Sequence, residues 1–161
     1  MPRQLLRDGQ VVADDWSYLA DAEVNPASSL ILSYAEWQSQ PDVWRGHLGR
    51  LGVVLQPSHK VDLLAPHFSR FSLIGLEFAG PSEGRGYSQA RILREQWNFK
   101  GELRATGYAH RDQVFFMARC GFNSFEMPHA DLKSASAALS SFSRAYQPSN
   151  DGGLPLTLQR R

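Results

Sequence analysis

The chain has little of what marks several large classes of protein. Its 161 residues include one cysteine, Cys120, so an internal disulfide is excluded, as is an iron–sulfur cluster or cysteine-rich zinc site built by this chain alone. No apolar run approaches the length of a membrane-spanning helix, which is about 18 residues. The amino terminus lacks the apolar segment of a signal peptide. The formal net charge is +1, without the basic excess of nucleic-acid-binding proteins. We therefore expect a cytoplasmic protein that contacts neither membranes nor nucleic acid.

Motifs for common cofactors and catalytic devices are also missing. The five histidines do not have metal-ligand spacing, so no metal site is predicted. There is no G-x-S-x-G nucleophile motif, and Gly84-Arg85-Gly86 matches neither the Walker loop nor the dinucleotide fingerprint. Cys120 falls at the predicted end of a helix, where the helix dipole disfavours a thiolate, so it is interpreted as a packed structural thiol. The sequence identifies no cofactor and does not decide whether the protein is an enzyme.

What the chain does have is an alternation of strand-like and helix-like segments. Five short apolar runs predict strands, at residues 29–34, 52–57, 72–78, 102–107 and 123–127. The alternation predicts an α/β fold of repeated βα units with a mainly parallel sheet. A complete (β/α)-barrel needs about 250 residues, which leaves an open sheet or a partial TIM-like barrel. We expect one domain over residues 1–161, with its βα core at 29–146.

The two ends of the chain differ from this core. Residues 4–13 predict an N-terminal β-hairpin, because Asp8-Gly9 suits a type I′ turn. Residues 14–27 are polar and end in Asn25-Pro26, which predicts a loop. The tail at 148–161 is predicted to be loose. A partial barrel leaves an edge strand that the hairpin or a second copy of the chain could cover, so a homo-oligomer is an open alternative.

The predicted helices differ in regularity. Pro41 opens one helix, in which Trp44, Leu48 and Leu51 recur at helical spacing. Residues 58–70 predict only a short or broken helix, because Pro66 removes a backbone donor. The helix at 86–97 and the last helix, after Pro128, each have an apolar face that should pack on the sheet. These faces consist of Tyr87, Ala90, Leu93 and Trp97 in the former and of Leu132, Ala135, Leu139, Phe142 and Tyr146 in the latter.

A glycine-rich turn after the third predicted strand is the first candidate site. Parallel α/β sheets bind ligands beyond the carboxyl ends of their strands, and glycines let the backbone approach a ligand closely. Arg85 adds a bidentate donor for an anion such as sulfate, sulfite or phosphate. The predicted ligand-binding set is Gly84, Arg85, Gly86, Tyr87, Ser88, Arg91 and Arg94. The competing interpretation is a tight βα turn with solvated arginines.

Charged residues inside two predicted strands form the second candidate site. Glu77 shares a strand face with Leu73 and Gly75, while Glu102 and Arg104 share a face of the next strand. If the two strands are neighbours, Glu77 and Arg104 could pair near the ligand edge. In an enzyme, Glu77 or Glu102 would transfer a proton and Arg104 would stabilise developing negative charge. The same residues also suit a purely structural ion pair.

Several segments together resemble a bacterial family of unknown function whose members are described as oxidoreductases of sulfite reduction. The matching segments are GRGYSQARILR at 84–94, GELRATG at 101–107, DQVFFMARCGF at 112–122 and F-x-M at 125–127. The chain departs from the family pattern at Glu83, where the family usually has aspartate, and at residues 79–82. Members tend to be encoded beside sulfite reductase and phosphoadenylyl-sulfate reductase, so the resemblance implies a role in sulfur assimilation.

Three functional hypotheses follow from these observations. The leading one is an accessory protein or oxidoreductase linked to assimilatory sulfite reduction, which binds an anionic or sulfur-oxyanion ligand at the loop 84–88. The second is a barrel-like α/β enzyme that uses Glu77, Glu102 and Arg104. The third is a non-catalytic subunit that docks on sulfite reductase or on another enzyme of sulfur assimilation.

Overall fold

The core of the fold is a single eight-stranded sheet. The structure is a computed structural model that describes residues 3–22 and 27–141. The strand order is β2-β1-β8-β7-β6-β5-β4-β3, and the sheet curls into a half-barrel. The strands are β1 (Gln4–Arg7), β2 (Gln10–Ala13), β3 (Ser17–Tyr18), β4 (Leu30–Ser33), β5 (Leu51–Leu55), β6 (Phe71–Phe78), β7 (Glu102–Gly107) and β8 (Ser124–Phe125). Strands β3 to β8 are parallel and follow one another in chain order, as in the βα units of a barrel.

Helical segments occupy the connections between the parallel strands. The helices are α1 (Tyr34–Ser39), α2 (Pro41–Arg45), α3 (Arg85–Arg91), α4 (Val114–Cys120) and α5 (His129–Ser141). Two 3₁₀ segments span Leu19–Asp21 and Val61–Arg70, and a π-helical segment, Ile92–Gln96, extends α3. Ser33 and Glu36 form a capping box at the start of α1, which satisfies two of its free backbone donors.

The two faces of the sheet have different chemistry. Alternate strand residues such as Leu32, Ile74 and Leu103 pack against the helices in one large apolar core. We call the opposite face the inner face of the half-barrel. It carries a small apolar cluster of Trp16, Ile31 and Leu73 and, on β7, the polar residues Glu102, Arg104 and Thr106. The inner face therefore holds the charged groups whose roles were open from the sequence.

The predicted mixed α/β fold with a mainly parallel sheet is confirmed. Of the open sheet and the partial barrel that the sequence allowed, the half-barrel corresponds to the partial barrel. The hairpin is also confirmed: Asp8 and Gly9 have φ angles of 50° and 81°. Strand β1 pairs antiparallel with β8, so the hairpin covers the edge of the half-barrel at that end. The sequence missed β3, a two-residue strand within the segment predicted to be a loop. Parallel pairing with β4 gives this polar segment its strand conformation.

Two helix predictions were wrong in detail. The helix that starts at Pro41 ends at Arg45, so Leu51 lies in β5 and Leu48 is 85% exposed. Trp97 is 41% exposed instead of packing on the sheet. The amide of Trp97 donates to the carbonyl of Ile92, five residues back, and this wider turn rotates Trp97 away from the face of Ala90.

Other sequence-based predictions fall outside the described residues: the loop at Asn25-Pro26, the end of the last apolar stripe at Phe142 and Tyr146, and the tail at 148–161. Within residues 3–22 and 27–141, no helix is long and apolar enough to cross a membrane.

Candidate functional site

Arg104 lies at the centre of the inner face, with 0% of its side chain exposed. Its Nη1 donates to Asp14 at 3.0 Å and to Glu126 at 2.9 Å, and its Nη2 donates to Glu102 at 2.8 Å and to Asp14 at 3.1 Å. Its Nε lies 3.2 Å from both Glu102 and the Ser124 hydroxyl. All three guanidinium nitrogens are therefore engaged, and Arg104 can bind a ligand only by giving up one of these bonds.

The carboxylates around Arg104 hold the N-terminal segment on the sheet. Burial acts to raise the pKa of Asp14, but hydrogen bonds from Arg104 and Arg3 outweigh it and hold that pKa below its ordinary value. Burial raises the pKa of Tyr18, and the neighbouring Glu126, which accepts a hydrogen bond from the Tyr18 hydroxyl at 2.8 Å, raises it further. The network thus links Asp14 and β3 to β7 and to the end of β8.

Asp15, the neighbour of Asp14 along the chain, makes the stability of the protein sensitive to acid. Burial acts to raise the pKa of Asp15, yet hydrogen bonds from Arg50 and Arg7 lower it to about 2. An aspartate in an unfolded chain has a pKa of about 3.9, so the unfolded state takes up the proton first as the pH falls. We expect the stabilisation from Asp15 to be present above about pH 4 and to be lost as the pH falls towards about 2.

Urea unfolding at several pH values measures this loss. In Asp15→Asn, the fall in the free energy of unfolding below about pH 4 should be shallower than in the wild type, while Asp42→Asn serves as the control substitution. Because 49% of the Asp15 side chain is exposed, the change should be modest. A wild-type slope retained in Asp15→Asn would contradict this assignment.

Glu77 does not pair with Arg104 as the sequence suggested. Strands β6 and β7 are neighbours, but their register places Gly75 opposite Arg104 and Glu77 opposite Thr106. Glu77 lines a cavity of about 440 Å³ at the carboxyl edge of the sheet, together with Glu126 and Tyr18. Among the described residues, its carboxylate accepts no hydrogen bond and forms no ion pair. Of the predicted catalytic residues Glu77, Glu102 and Arg104, Glu77 is thus the one that no other described side chain binds.

Arg85 lies at the same edge, at the start of α3. Its backbone amide donates to the side chain of Glu83 at 2.9 Å, which fixes the turn. Its side chain is exposed and makes no hydrogen bond or ion pair with the part of the chain that the structure describes. Arg85, His59 and Glu77 line one small recess of about 10 Å³. Arg85 therefore lies beside a small recess at the carboxyl edge, which the end of β6 and the residues after β5 also line.

The other residues of the predicted loop site mainly pack against the fold. A Cβ atom on Gly86 would lie 2.5 Å from the ring of Phe78, so Gly86 allows α3 to approach β6 closely. The ring of Tyr87 contacts the same phenylalanine edge-on, with centroids 5.3 Å apart. Gly84 has open space around its missing side chain, and Ser88 is exposed.

The two further arginines predicted to join this loop are not part of it. Arg91 is exposed and lies 3.8 Å from Glu95 on the same helix. Arg94 donates to the carbonyls of Phe99, Gly101 and Gly121, at 2.8, 2.9 and 3.0 Å. Because these carbonyls precede β7 and β8, Arg94 reaches the amino edge of the sheet, opposite the edge where Arg85 lies. The placement of Arg94 in the loop site was therefore wrong.

Sequence reasoning missed Asp14 and Tyr18, two central members of the inner-face network. Both lie in the segment that was predicted to be a loop, 90 and 108 residues from their partners. A doubled aspartate directly after a hairpin is the one local signal that could have drawn attention to Asp14. Cys120 is buried, in agreement with its interpretation as a packed thiol. Across the described ranges, no group of His, Cys, Asp and Glu side chains could hold a metal ion.

A family model matches most of the chain. The model of a family described as "Bacterial protein of unknown function (DUF934)" matches residues 52–157, about two thirds of the 161-residue chain. The matched span begins in β5 and includes the loop with Arg85, strand β7 with Arg104, and Arg94. A search of curated proteins gave no match.

Proposed function

The chain belongs to this family of bacterial proteins of unknown function, and from that premise we propose that it is a cytoplasmic accessory protein of assimilatory sulfite reduction. It binds a small oxyanion such as sulfite at the loop 84–88. The observation that carries the binding proposal is the Arg85 guanidinium, which is exposed at the carboxyl edge and has no partner among the described residues. The link to sulfite reduction rests on the segments at 84–94, 101–107 and 112–122. These segments resemble the bacterial family whose members are described as oxidoreductases of sulfite reduction.

The neighbours of Arg85 indicate which oxyanion fits. Glu77 lines the same recess, and its carboxylate repels an anion that carries no proton. An oxyanion with an acidic hydroxyl, such as hydrogensulfite or hydrogenphosphate, can accept from Arg85 while its hydroxyl donates to a carboxylate that turns towards the recess. The recess of about 10 Å³ holds no more than about one water-sized group, so most of the ligand would lie over it. Sulfate, which is unprotonated at neutral pH, should therefore bind more weakly than hydrogenphosphate or sulfite.

The geometry gives less support to a barrel-like enzyme that uses Glu77, Glu102 and Arg104 together. Arg104 and Glu102 bind each other at 2.8 Å within the inner-face network, and Glu77 lies opposite Thr106. Arg104 is therefore not free to stabilise charge that develops on a substrate next to Glu77.

Thermal unfolding with sulfite, phosphate and sulfate tests the binding proposal. A ligand at 100 times its dissociation constant stabilises the folded state by about 2.7 kcal/mol, which a domain of this size shows as a rise of several degrees in Tm. We expect sulfite or phosphate to raise the Tm of the wild type and to raise that of Arg85→Gln by less than half as much. Arg45→Gln, which removes an exposed arginine on α2, is the matched control and should respond like the wild type.

The opposite result would redirect the proposal. If no anion raises the Tm, or if Arg85→Gln responds like Arg45→Gln, the loop site is wrong. Co-purification with sulfite reductase at low salt would then support the docking hypothesis, for which exposed aromatic side chains such as Phe116 supply contact area. Failure to co-purify, together with the absence of a Tm change, would remove the support for a role in sulfite reduction.

A further inference from the structure

A large cavity among the described residues lies at the amino edge of the sheet, away from Arg85. Its volume is about 620 Å³, within the range of small-molecule sites. Phe99, Phe122, Phe125 and Leu139 form its apolar wall, and Arg94 and Lys100 supply two cations. One carboxylate, that of the exposed Asp8 in the hairpin turn, also lines it. The charged groups around this cavity therefore favour an anion.

Arg94 has the features of a cation that lacks a counter-ion. Its Nε and Nη1 donate to three backbone carbonyls, but no carboxylate within the described ranges pairs with it, and its Nη2 has no acceptor there. Burial lowers the pKa of Arg94, as expected for a guanidinium that loses water without gaining a negative neighbour. An arginine remains protonated in a protein, so no carboxylate of the described residues compensates its charge. Partly buried charges of this kind normally have a partner.

The position of Arg94 is fixed by the residues around it. The three carbonyls come from two loops, one before β7 and one before β8, so the guanidinium is held from two sides. Gly121 has a φ angle of +119°, and a Cβ atom there would lie 2.5 Å from Cγ of Arg94. Glycine therefore both forms the turn after α4 and makes room for the arginine stem. Such a rigidly held donor loses little entropy when it binds a ligand.

We propose that this cavity binds a small organic anion with an apolar body, such as an aromatic carboxylate or sulfonate. Arg94 and Lys100 hold the anionic group, and the apolar body packs between Phe99, Phe122 and Leu139. This site lies at the amino edge of the sheet and does not depend on the proposed oxyanion site at Arg85. Its chemistry also differs, because an inorganic oxyanion has nothing to place against the apolar wall.

The probe for this site is 8-anilinonaphthalene-1-sulfonate, an aromatic sulfonate whose fluorescence rises in apolar surroundings. Titration of the folded wild type should give saturable binding with one probe per chain, weakened by salt because the pairing is electrostatic. Benzoate should displace the probe, while benzyl alcohol, which has a similar body without the charge, should displace it poorly. Lys100→Gln should weaken binding about fivefold, the loss expected for one exposed ion pair of about 1 kcal/mol.

Matched variants distinguish binding in this cavity from binding elsewhere on the protein surface. Lys60→Gln removes an exposed lysine that does not line the cavity, and it should leave the affinity for the probe unchanged. Arg85→Gln should also leave it unchanged, since Arg85 lies at the other edge. The proposal is overturned if the folded wild type shows no saturable binding of the probe. It is also overturned if Lys100→Gln and Lys60→Gln bind the probe with equal affinity, or if Arg85→Gln lowers the affinity as much as Lys100→Gln does.

Discussion

Replacing Arg104 by methionine is expected to lower the free energy of unfolding by about 3–5 kcal/mol. The substitution keeps most of the side-chain volume but leaves Asp14, Glu102 and Glu126 without the cation that they surround. Asp14 is the most affected, because 1% of its side chain is exposed and water cannot replace the lost donors. Urea unfolding followed by circular dichroism would measure the loss, with Arg91→Met on the exposed face of α3 as the control.

A second substitution shows whether the loss comes from the stranded carboxylates. Asp14→Asn in the Arg104→Met background removes one of these charges, so it should recover part of the stability, although Asp14→Asn alone should destabilise the wild type. If Arg104→Met costs less than about 1 kcal/mol, the network contributes little to the fold and the inner face is more hydrated than its geometry indicates.

Gly86→Ala is expected to lower the free energy of unfolding by about 1–3 kcal/mol, even though alanine is the better helix former. The added Cβ atom would lie 2.5 Å from the ring of Phe78, so α3 must move away from β6 or the ring must leave its position. Gly84→Ala is the matched control from the same turn. It has no atom within 4 Å of the new Cβ and a φ angle of −99°, so it should be neutral or slightly stabilising.

The cause of the Gly86 effect can be tested directly. Phe78→Leu shortens the side chain that the new Cβ meets, so the double substitution should lose less stability than the sum of the two single ones. Strict additivity, or equal losses for Gly84→Ala and Gly86→Ala, would show that Gly86 is needed for another reason. A close approach of the backbone to a ligand, which the sequence suggested, would then account for the glycine.

Local patterns in the sequence predicted much of the fold. The Asp8-Gly9 turn needs positive φ angles that few other residue pairs supply, and the short apolar runs predicted the strands β4 to β8 within about two residues. Helix length was less predictable, because Leu48 and Leu51 continue the helical spacing after α2 has ended. The spacing of the apolar residues does not indicate the π-helical turn before Trp97. Tertiary packing decides both cases.

The candidate sites were less predictable because they depend on strand register and on distant pairs. Glu77 and Arg104 share one face of the sheet, as predicted, but a two-residue difference in register separates them. Arg94 belongs to the same helical region as Arg85, yet it points to the opposite edge because its guanidinium reaches carbonyls of the loops before β7 and β8. No local pattern links Asp14 to Arg104 across 90 residues.

The pairing of β1 with β8 has a consequence for the order in which the chain folds during synthesis. The hairpin leaves the ribosome before the βα core, and Phe125, which pairs with Leu6, is made more than a hundred residues later. Asp14 likewise cannot form its ion pair until Arg104 has been synthesised. Arg104 in turn needs Asp14 as a partner, because burial of an unpaired guanidinium is unfavourable. A nascent chain that ends before β8 therefore has an unpaired hairpin and an incomplete ion network. The hairpin is therefore translated before the βα core but is among the last elements to reach its native contacts, so the half-barrel is complete only after β8 has been synthesised.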